Sequence, residues 1–367
     1  MPSDPVAVAA AGAAPPLPPP PQVLCLGEAL VDRLGPPGGD PAADHPCQDR
    51  LGGAPANVAC GLARLGTPAA FLGRLGRDAI GASFAELFAA RGVNTRALQW
   101  DDHHPSRIVL VRRDASGERS FEGFAGGVAD PGGPSFADQA LDAEVLSAAL
   151  GPLLAAARWL LVGTIPLASA AAASALHRAC RQAAAAAVPL AVDVNWRPTF
   201  WDPGADPASG PGPGAIAAIQ PLLQQAALLK CAREEAEWLF GTADAAAVSA
   251  ALPQRPAVVV SDGGAGLSWC LGGHSGQLQP FPVALVDSTG AGDAFTAGLL
   301  HRLCADPQLR KTAAGAAGDA ALTAPQAVAA AVRFAAACGA LVCTGSGAID
   351  PQPAAAQVQA FLAQQPA

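Results

Sequence analysis

The chain contains no tyrosine, one methionine, and only two lysines, Lys230 and Lys311, among 22 basic residues. Charged residues are scarce at 14%, and the net charge of −8 speaks against a general nucleic-acid or anionic-membrane binder. A CxxC pair is also absent. Nine cysteines at irregular spacing exclude a simple disulfide framework or zinc site, and read instead as buried reduced thiols of a cytoplasmic enzyme. The six histidines form no HExxH pair, and His103–His104 reads as a solvated loop. The one Lys-Thr pair, Lys311-Thr312, follows Arg310 rather than glycine, which removes a Walker A phosphate loop. No long apolar run survives inspection: residues 152–176 are interrupted by Arg158 and Pro166 and read as a buried helix–strand–helix. Residues 1–21 carry no basic residue, so they lack the positive start of a secretory signal; they read as a disordered Ala/Pro-rich extension with a polyproline II end.

What the chain has in abundance is apolar residues, at 51%, and glycine, at 40 of 367 positions. That suffices for a large core in one α/β domain over 22–367. Short apolar runs recur as "VLCLG" (23–27), "AAFLG" (69–73), "WLLVG" (159–163), "PLAVDV" (189–194), "ALLK" (227–230) and "AVVVS" (257–261). Helical stretches lie between several of them. Such alternation predicts a doubly wound, mostly parallel sheet with both faces covered. Residues 106–124 differ: two β-prone runs flank the turn sequence "DASG", which predicts an antiparallel hairpin projecting as a lid. A second hairpin is expected in "GLSWCLGGHSGQLQPFPV", and surface loops at 203–214 and 312–325.

The chemistry concentrates at glycine-rich turns. In "DSTGAGDAFTAGLL" (287–300), Phe295, Leu299 and Leu303 recur at helical spacing, so a helix starts near Ala291. Its first N–H groups, exposed by Gly290, Ala291 and Gly292, form an anion site suited to a transferred phosphoryl group. Asp293 stands beside it and could accept a proton from an attacking hydroxyl. Taken alone, the motif is equally a tight turn whose carboxylate complements a helix dipole. "GGAPAN" (52–57) opens another helix, with Pro55 suited to its first turn and Gly66 to its stop, and "SDGGAG" (261–266) follows a strand. Either could be an ordinary turn; three such turns at strand ends fit a ligand held at the sheet's carboxyl edge.

Together "GGAPANVACGLARLG" and "DSTGAGDAFTAG" resemble the two signatures of the ribokinase-like (PfkB) carbohydrate kinases, in the right order, with the match running from about Val23 to Pro351. The resemblance implies a small β lid over a sugar, ATP and Mg²⁺ as cofactors, and Asp293 as the base over the anion hole. It implies that Asp32 in "GEALVD", with Gly52, Gly53 and Asn57, binds sugar hydroxyls. "DVNWRPTFW" (193–201) resembles a stretch of fructokinases and 2-keto-3-deoxygluconate kinases, placing Asn195 and Arg197 near phosphates or substrate, and Arg107 resembles the lid arginine of that subgroup. "KCAREEAEWLFG" implies Lys230 on the nucleotide side and Glu235 orienting Mg²⁺ through water. Ala232 departs from the asparagine or serine of relatives and weakens that shell. The resemblance also implies that Ser261, Gly263, Gly266 and Gly347 lie near the nucleotide. Asp287 and Thr289, with "CTGSGAI", match a region that binds a monovalent cation such as K⁺ in several relatives. Turn and cap roles stay open for these, as do solvated or ion-paired roles for Arg107, Arg197 and Glu235.

Small-molecule sugar and ATP are thus the expected partners, with a homodimer through the lid as a further option. Fructose is favoured over 2-keto-3-deoxygluconate because a chain without tyrosine cannot build the arginine–tyrosine clamp for the acid. A nucleoside kinase and an inactive regulatory relative are the rival readings. Since residues 1–21 show no packable pattern, their deletion is expected to leave melting temperature and turnover unchanged; a large loss of either would show that the segment docks.

Overall fold

The computed structural model describes residues 19–113, 119–128, 133–315 and 324–366. The "DASG" turn, most of the N-terminal extension and most of 312–325 therefore lie outside the described residues.

The apolar runs form a nine-stranded sheet. Its strands are β1 (Val23–Leu26), β4 (Ala69–Gly76), β5 (Asn94–Asp101), β8 (Trp159–Val162), β9 (Leu190–Asp193), β10 (Leu228–Ala232), β11 (Ala257–Ser261), β12 (Leu267–Leu271) and β13 (His274–Leu278). The order is β13-β12-β11-β10-β9-β8-β1-β4-β5. From β11 to β5 every pairing is parallel, and β12 and β13 add the expected antiparallel hairpin at one edge. Central strands such as β1 and β8 are buried along their whole length, as strands covered on both faces must be. One core lies on each face. On one, Phe71, Phe84 and Phe88 pack with Trp159; on the other, Leu24, Leu72, Leu146 and Leu160. All nine cysteines are free, six of them buried.

Four further strands make a second sheet: β2 (Leu30–Leu34), β3 (Gln48–Gly52), β6 (Ile108–Arg113) and β7 (Arg119–Ala125), in the order β3-β2-β6-β7. The hairpin expected at 106–124 is the β6–β7 pair. The sequence reading missed β2, β3 and β5. In β3, "QDRLG" carries charged and glycine residues that strands disfavour, and only pairing along β2 holds it extended. The expected loop at 203–214 is present as far as Gly212, and a helix begins at Pro213, since proline suits a first helical turn.

Four helices position the site. We label them α1 (Ala54–Leu65), α2 (Arg233–Phe240), α3 (Ala291–Ala305) and α4 (Pro325–Val342). Pro55 sits in the first turn of α1 and Gly66 closes it with a left-handed φ of 93°. α4 is the one helix among the described residues long and apolar enough to cross a membrane by length and composition, and half of that stretch is buried inside the protein. It packs against α3. At their closest approach a Cβ on Gly298 would stand 2.8 Å from Cys338 Sγ and 2.9 Å from Ala335 Cα. That approach holds α3 in place in the core, and with it the glycine turn at its N-terminus. Gly298→Ala is therefore expected to lower stability by about 1–3 kcal/mol in urea denaturation, since a methyl group must force two packed helices apart. An unchanged midpoint would show that the pair slides freely.

Candidate active site

The carboxyl ends of the central strands, the N-terminus of α3 and the inner face of the small sheet enclose a cavity of about 350 Å³. The strand order reverses beside β1, where a doubly wound sheet leaves a crevice for a ligand.

The anion site is built as the sequence suggests. α3 begins at Ala291, and its N-cap, Gly290, has φ 77°. A side chain there would be strained, and its Cβ would come within 2.6 Å of Ala348 Cβ, so glycine is required twice over. The first turn of α3 carries no side-chain cap, and Gly290, Ala291, Gly292 and Asp293 all line the cavity. Ala291 N donates to Ser288 O at 3.2 Å, and no side chain caps the rest of this first turn, whose N–H groups face the cavity end of the helix.

Asp293 receives a 2.7 Å hydrogen bond from the Asn57 amide on α1. Burial, followed by the charge of Asp193, raises its carboxyl to about 6; the Asn57 hydrogen bond, Lys230 and Arg197 act in the opposite direction. Such a carboxyl is mostly ionised at neutral pH and half so near 6, a poise that would suit taking a proton. Asp193, which the sequence reading did not single out, organises the next layer. Its carboxylate accepts from Lys230 Nζ at 3.0 and 3.1 Å and lies 3.1 Å from the Thr296 hydroxyl. Burial pulls the Lys230 ammonium down, but the charges of Asp193, Glu235 and Asp293 hold it above its usual range. A Cβ on Gly292 would lie 2.8 Å from Lys230 Nζ, so a positive charge stands immediately beneath the anion turn.

Asp32, Gly53, Asn195 and Arg197 also line the cavity. Asn195 adopts φ 43°, a left-handed conformation that asparagine tolerates and that aims it from the end of β9. Arg197 lies over the Phe121 ring of β7, at 5.6 Å from its centroid, and so joins the main body to the small sheet. Gly52 lies behind Asp32: its Cβ would fall 2.9 Å from Asp32 Oδ2. Glu28 is a second residue that went unremarked. It follows the glycine at the end of β1, donates no charge to the surface, and accepts from Ala54 N at 3.1 Å at the start of α1. Desolvation raises its carboxyl to about 8. An acid placed directly after a strand-end glycine was the available signal.

Several expected residues are placed outside this cavity. Arg107 does not line the cavity. Its side chain, 3% exposed, is clamped on Asp138 at 2.9 Å and lies 4.6–4.7 Å from the centroids of Phe124, Phe136 and Phe200. A guanidinium so enclosed ties the small sheet to the body instead of reaching a ligand. Glu235 is also absent from the cavity wall. One oxygen accepts from Ala232 N at 2.7 Å and the other from Trp196 N at 2.6 Å. This carboxylate caps α2 and fastens it to the loop after β9. Ser261, Gly263 and Gly266 form a tight turn at the end of β11, on the same edge of the sheet but outside the cavity. Asp287 accepts from Thr289 N at 3.0 Å, from the Thr289 hydroxyl at 2.7 Å and from Gly347 N at 2.8 Å, which brings together the two segments expected to meet there.

The pfkB family carbohydrate kinase model matches residues 20–355. Fructokinase of Salmonella typhimurium is 32% identical over 335 residues, covering 90% of this chain and 96% of that protein. The structure of fructokinase with bound ATP from Xylella fastidiosa superposes with a TM-score of 0.74 at 29% identity, covering 94% and 98% of the two chains. A fructokinase double mutant from Vibrio cholerae, in its fructose, ADP and potassium bound form, gives 0.71 at 27% identity, covering 94% and 98%. The mostly parallel sheet, the anion-binding helix end and the small sheet facing it are those of a ribokinase-like sugar kinase. This chain belongs to the pfkB family of carbohydrate kinases.

The position of Asp293 gives a pH prediction. Were this carboxylate the proton acceptor, it would have to be ionised, and kcat/KM is expected to fall as pH drops through about 6. Asn57→Ala removes a hydrogen bond that lowers the Asp293 pKa, and should shift that acid limb upward. The same raised pKa makes ionised Asp293 a cost to folding that grows as pH rises through about 6, so Asp293→Asn should raise the melting temperature at pH 7–8 but not near pH 4. An acid limb unmoved in Asn57→Ala would remove Asn57 from this role.

Proposed function

We propose that the enzyme transfers the γ-phosphoryl group of ATP to a primary hydroxyl of fructose, yielding fructose 6-phosphate and ADP. The observation that carries the reading is the raised carboxyl of Asp293 within the first turn of α3, on the wall of a polar cavity. Asp293 takes the proton of the attacking hydroxyl as its oxygen bonds to phosphorus and the bond to the ADP oxygen breaks. The N–H groups of the 290–292 turn, with Lys230 beneath, stabilise charge on the transferred group. Asp32, Asn195 and Arg197 orient the sugar from the cavity wall. Fructokinases named among the relatives support fructose, and the neighbours with ATP, or with fructose and ADP, support both ligands.

Among the described residues no group of three acidic, histidine or cysteine side chains could hold a metal ion, and both Glu235 oxygens are taken by backbone N–H groups. The residues therefore do not form a protein cage for Mg²⁺. An ion arriving with the nucleotide would rest on phosphate oxygens and neutralise their charge. For K⁺, the Asp287 carboxylate, joining Thr289 to Gly347, is the group around which the carbonyls of the two segments would gather.

An acid substrate would need a cationic clamp. With Arg107 held by Asp138, Arg197 is the arginine left on the cavity wall, whereas hydroxyl partners are several. The test is kcat/KM for fructose, ribose, adenosine and 2-keto-3-deoxygluconate in one coupled assay, repeated with Asp293→Asn. Fructose should lead, and the variant should lose roughly 10²–10⁴-fold in turnover. A tenfold lead for another sugar would displace fructose, and a fully active variant would displace the base.

A further inference from the structure

Arg50 lies on β3, directly opposite Asp32 on β2. Directly paired residues of an antiparallel ladder share a face, and their neighbours take the other face. Asp32 lines the cavity, so the Asp32–Arg50 pair is on the inner face of the small sheet. The adjacent pair, Arg33 and Asp49, is on the outer face, where its ends meet at 2.7 Å with side chains 31% and 44% exposed. The arginines of this sheet are thus sorted. Arg33 binds Asp49, and Arg112 binds Glu122 at 3.0 Å. Among the described residues no hydrogen bond or ion pair holds the guanidinium of the half-buried Arg50, whose backbone pairs with β2.

Arg50 lines a crevice between the small sheet and the turn before the anion site. Asp32 and Leu51 form one side; Asp287, Thr289 and Gly347 form the other. Thr289 lines the main cavity as well, immediately before Gly290. The crevice is therefore continuous with the place where a phosphoryl group would sit. A guanidinium carries a fixed charge and a planar set of donors that matches phosphate oxygens bidentately.

The geometry points to Arg50 as a catalytic residue that reaches from the small sheet to the transferring phosphoryl group and stabilises its charge from the side opposite Lys230. This rests on the phosphoryl-transfer reading above. It assigns the β3 strand a chemical task beyond covering the sugar: the cation arrives only when the sheet closes over a bound acceptor, which couples sugar binding to transfer and disfavours loss of the phosphoryl group to water.

Arg50→Ala and Arg50→Lys test it, each assayed with ATP and fructose and with ATP alone. Loss of one preorganised donor predicts a fall in kcat of about 10²–10³-fold for Arg50→Ala. The sugar KM should move less than about threefold, since the contact belongs to the transition state. Arg50→Lys should fall between, and added guanidinium should restore part of the Arg50→Ala turnover while leaving wild type unaffected. A merely structural arginine would not respond to guanidinium. Arg50→Ala turnover within about threefold of wild type would overturn the inference and leave the kinase reading intact. So would a loss of turnover that accompanies a lowered melting temperature and resists guanidinium. No sugar-dependent ATP turnover in wild type would overturn the kinase reading itself, and this inference with it.

Discussion

The structure depends on keeping a half-buried carboxylate ionised at the end of a helix. Asp293 is drawn toward its neutral form by burial and by the nearby charge of Asp193. Three groups oppose that pull: the Asn57 amide, the Lys230 ammonium and Arg197. They come from α1, β10 and the loop after β9, so one side chain requires three separate elements to converge. Lys230 can serve only because Asp193 and Thr296 hold the layer beneath it, and Thr296 belongs to the same helix as Asp293. The arrangement is closed on itself. That explains why the tolerances around α3 are so small at Gly290, Gly292 and Gly298.

The small sheet faces the opposite constraint, since it must be attached to the body without filling the cavity. Arg107 solves this by burying its charge against Asp138 within a cage of three phenylalanine rings. A buried pair of this kind is costly to break because either partner alone would be stranded. Arg197 stacking on Phe121 provides a second junction, this one at the cavity wall. One arginine is thus enclosed away from the cavity and the other stands on its wall. Their residue type alone did not distinguish them.

Much of the architecture was legible because it is local. Strands such as "VLCL" and "AVVVS" are continuous apolar runs, and the helix at Ala291 announces itself through glycines followed by Phe295, Leu299 and Leu303. β3 was not legible, because its extended form comes from pairing with β2 rather than from its own residues. Among site residues, Asp293, Asn57, Asp32 and Arg197 are brought to one cavity as their motifs suggested. Glu235 has a spacing from Ala232 that suits a capping role as well as a metal role, and its cap on Ala232 N and its bond from the distant Trp196 N–H are visible only in the fold. Asp193 and Glu28 were visible as letters, yet their importance lies in partners 37 and 26 residues away.

By itself, the sequence determined the periodicities: where most strands and helices run, where glycine must turn the chain, and that a helix N-terminus bears an acid in its first turn. These follow from interactions within a few residues, whose physics the order of side chains contains. The tertiary structure alone decided which charges would be shared. Whether an arginine is caged or exposed to a ligand, and whether a carboxylate titrates near 6 or near its ordinary value, depends on burial and on charges brought from distant segments. Coulomb and desolvation energies vary with distance in space rather than along the chain, so that part of the site exists only once the sheet has assembled.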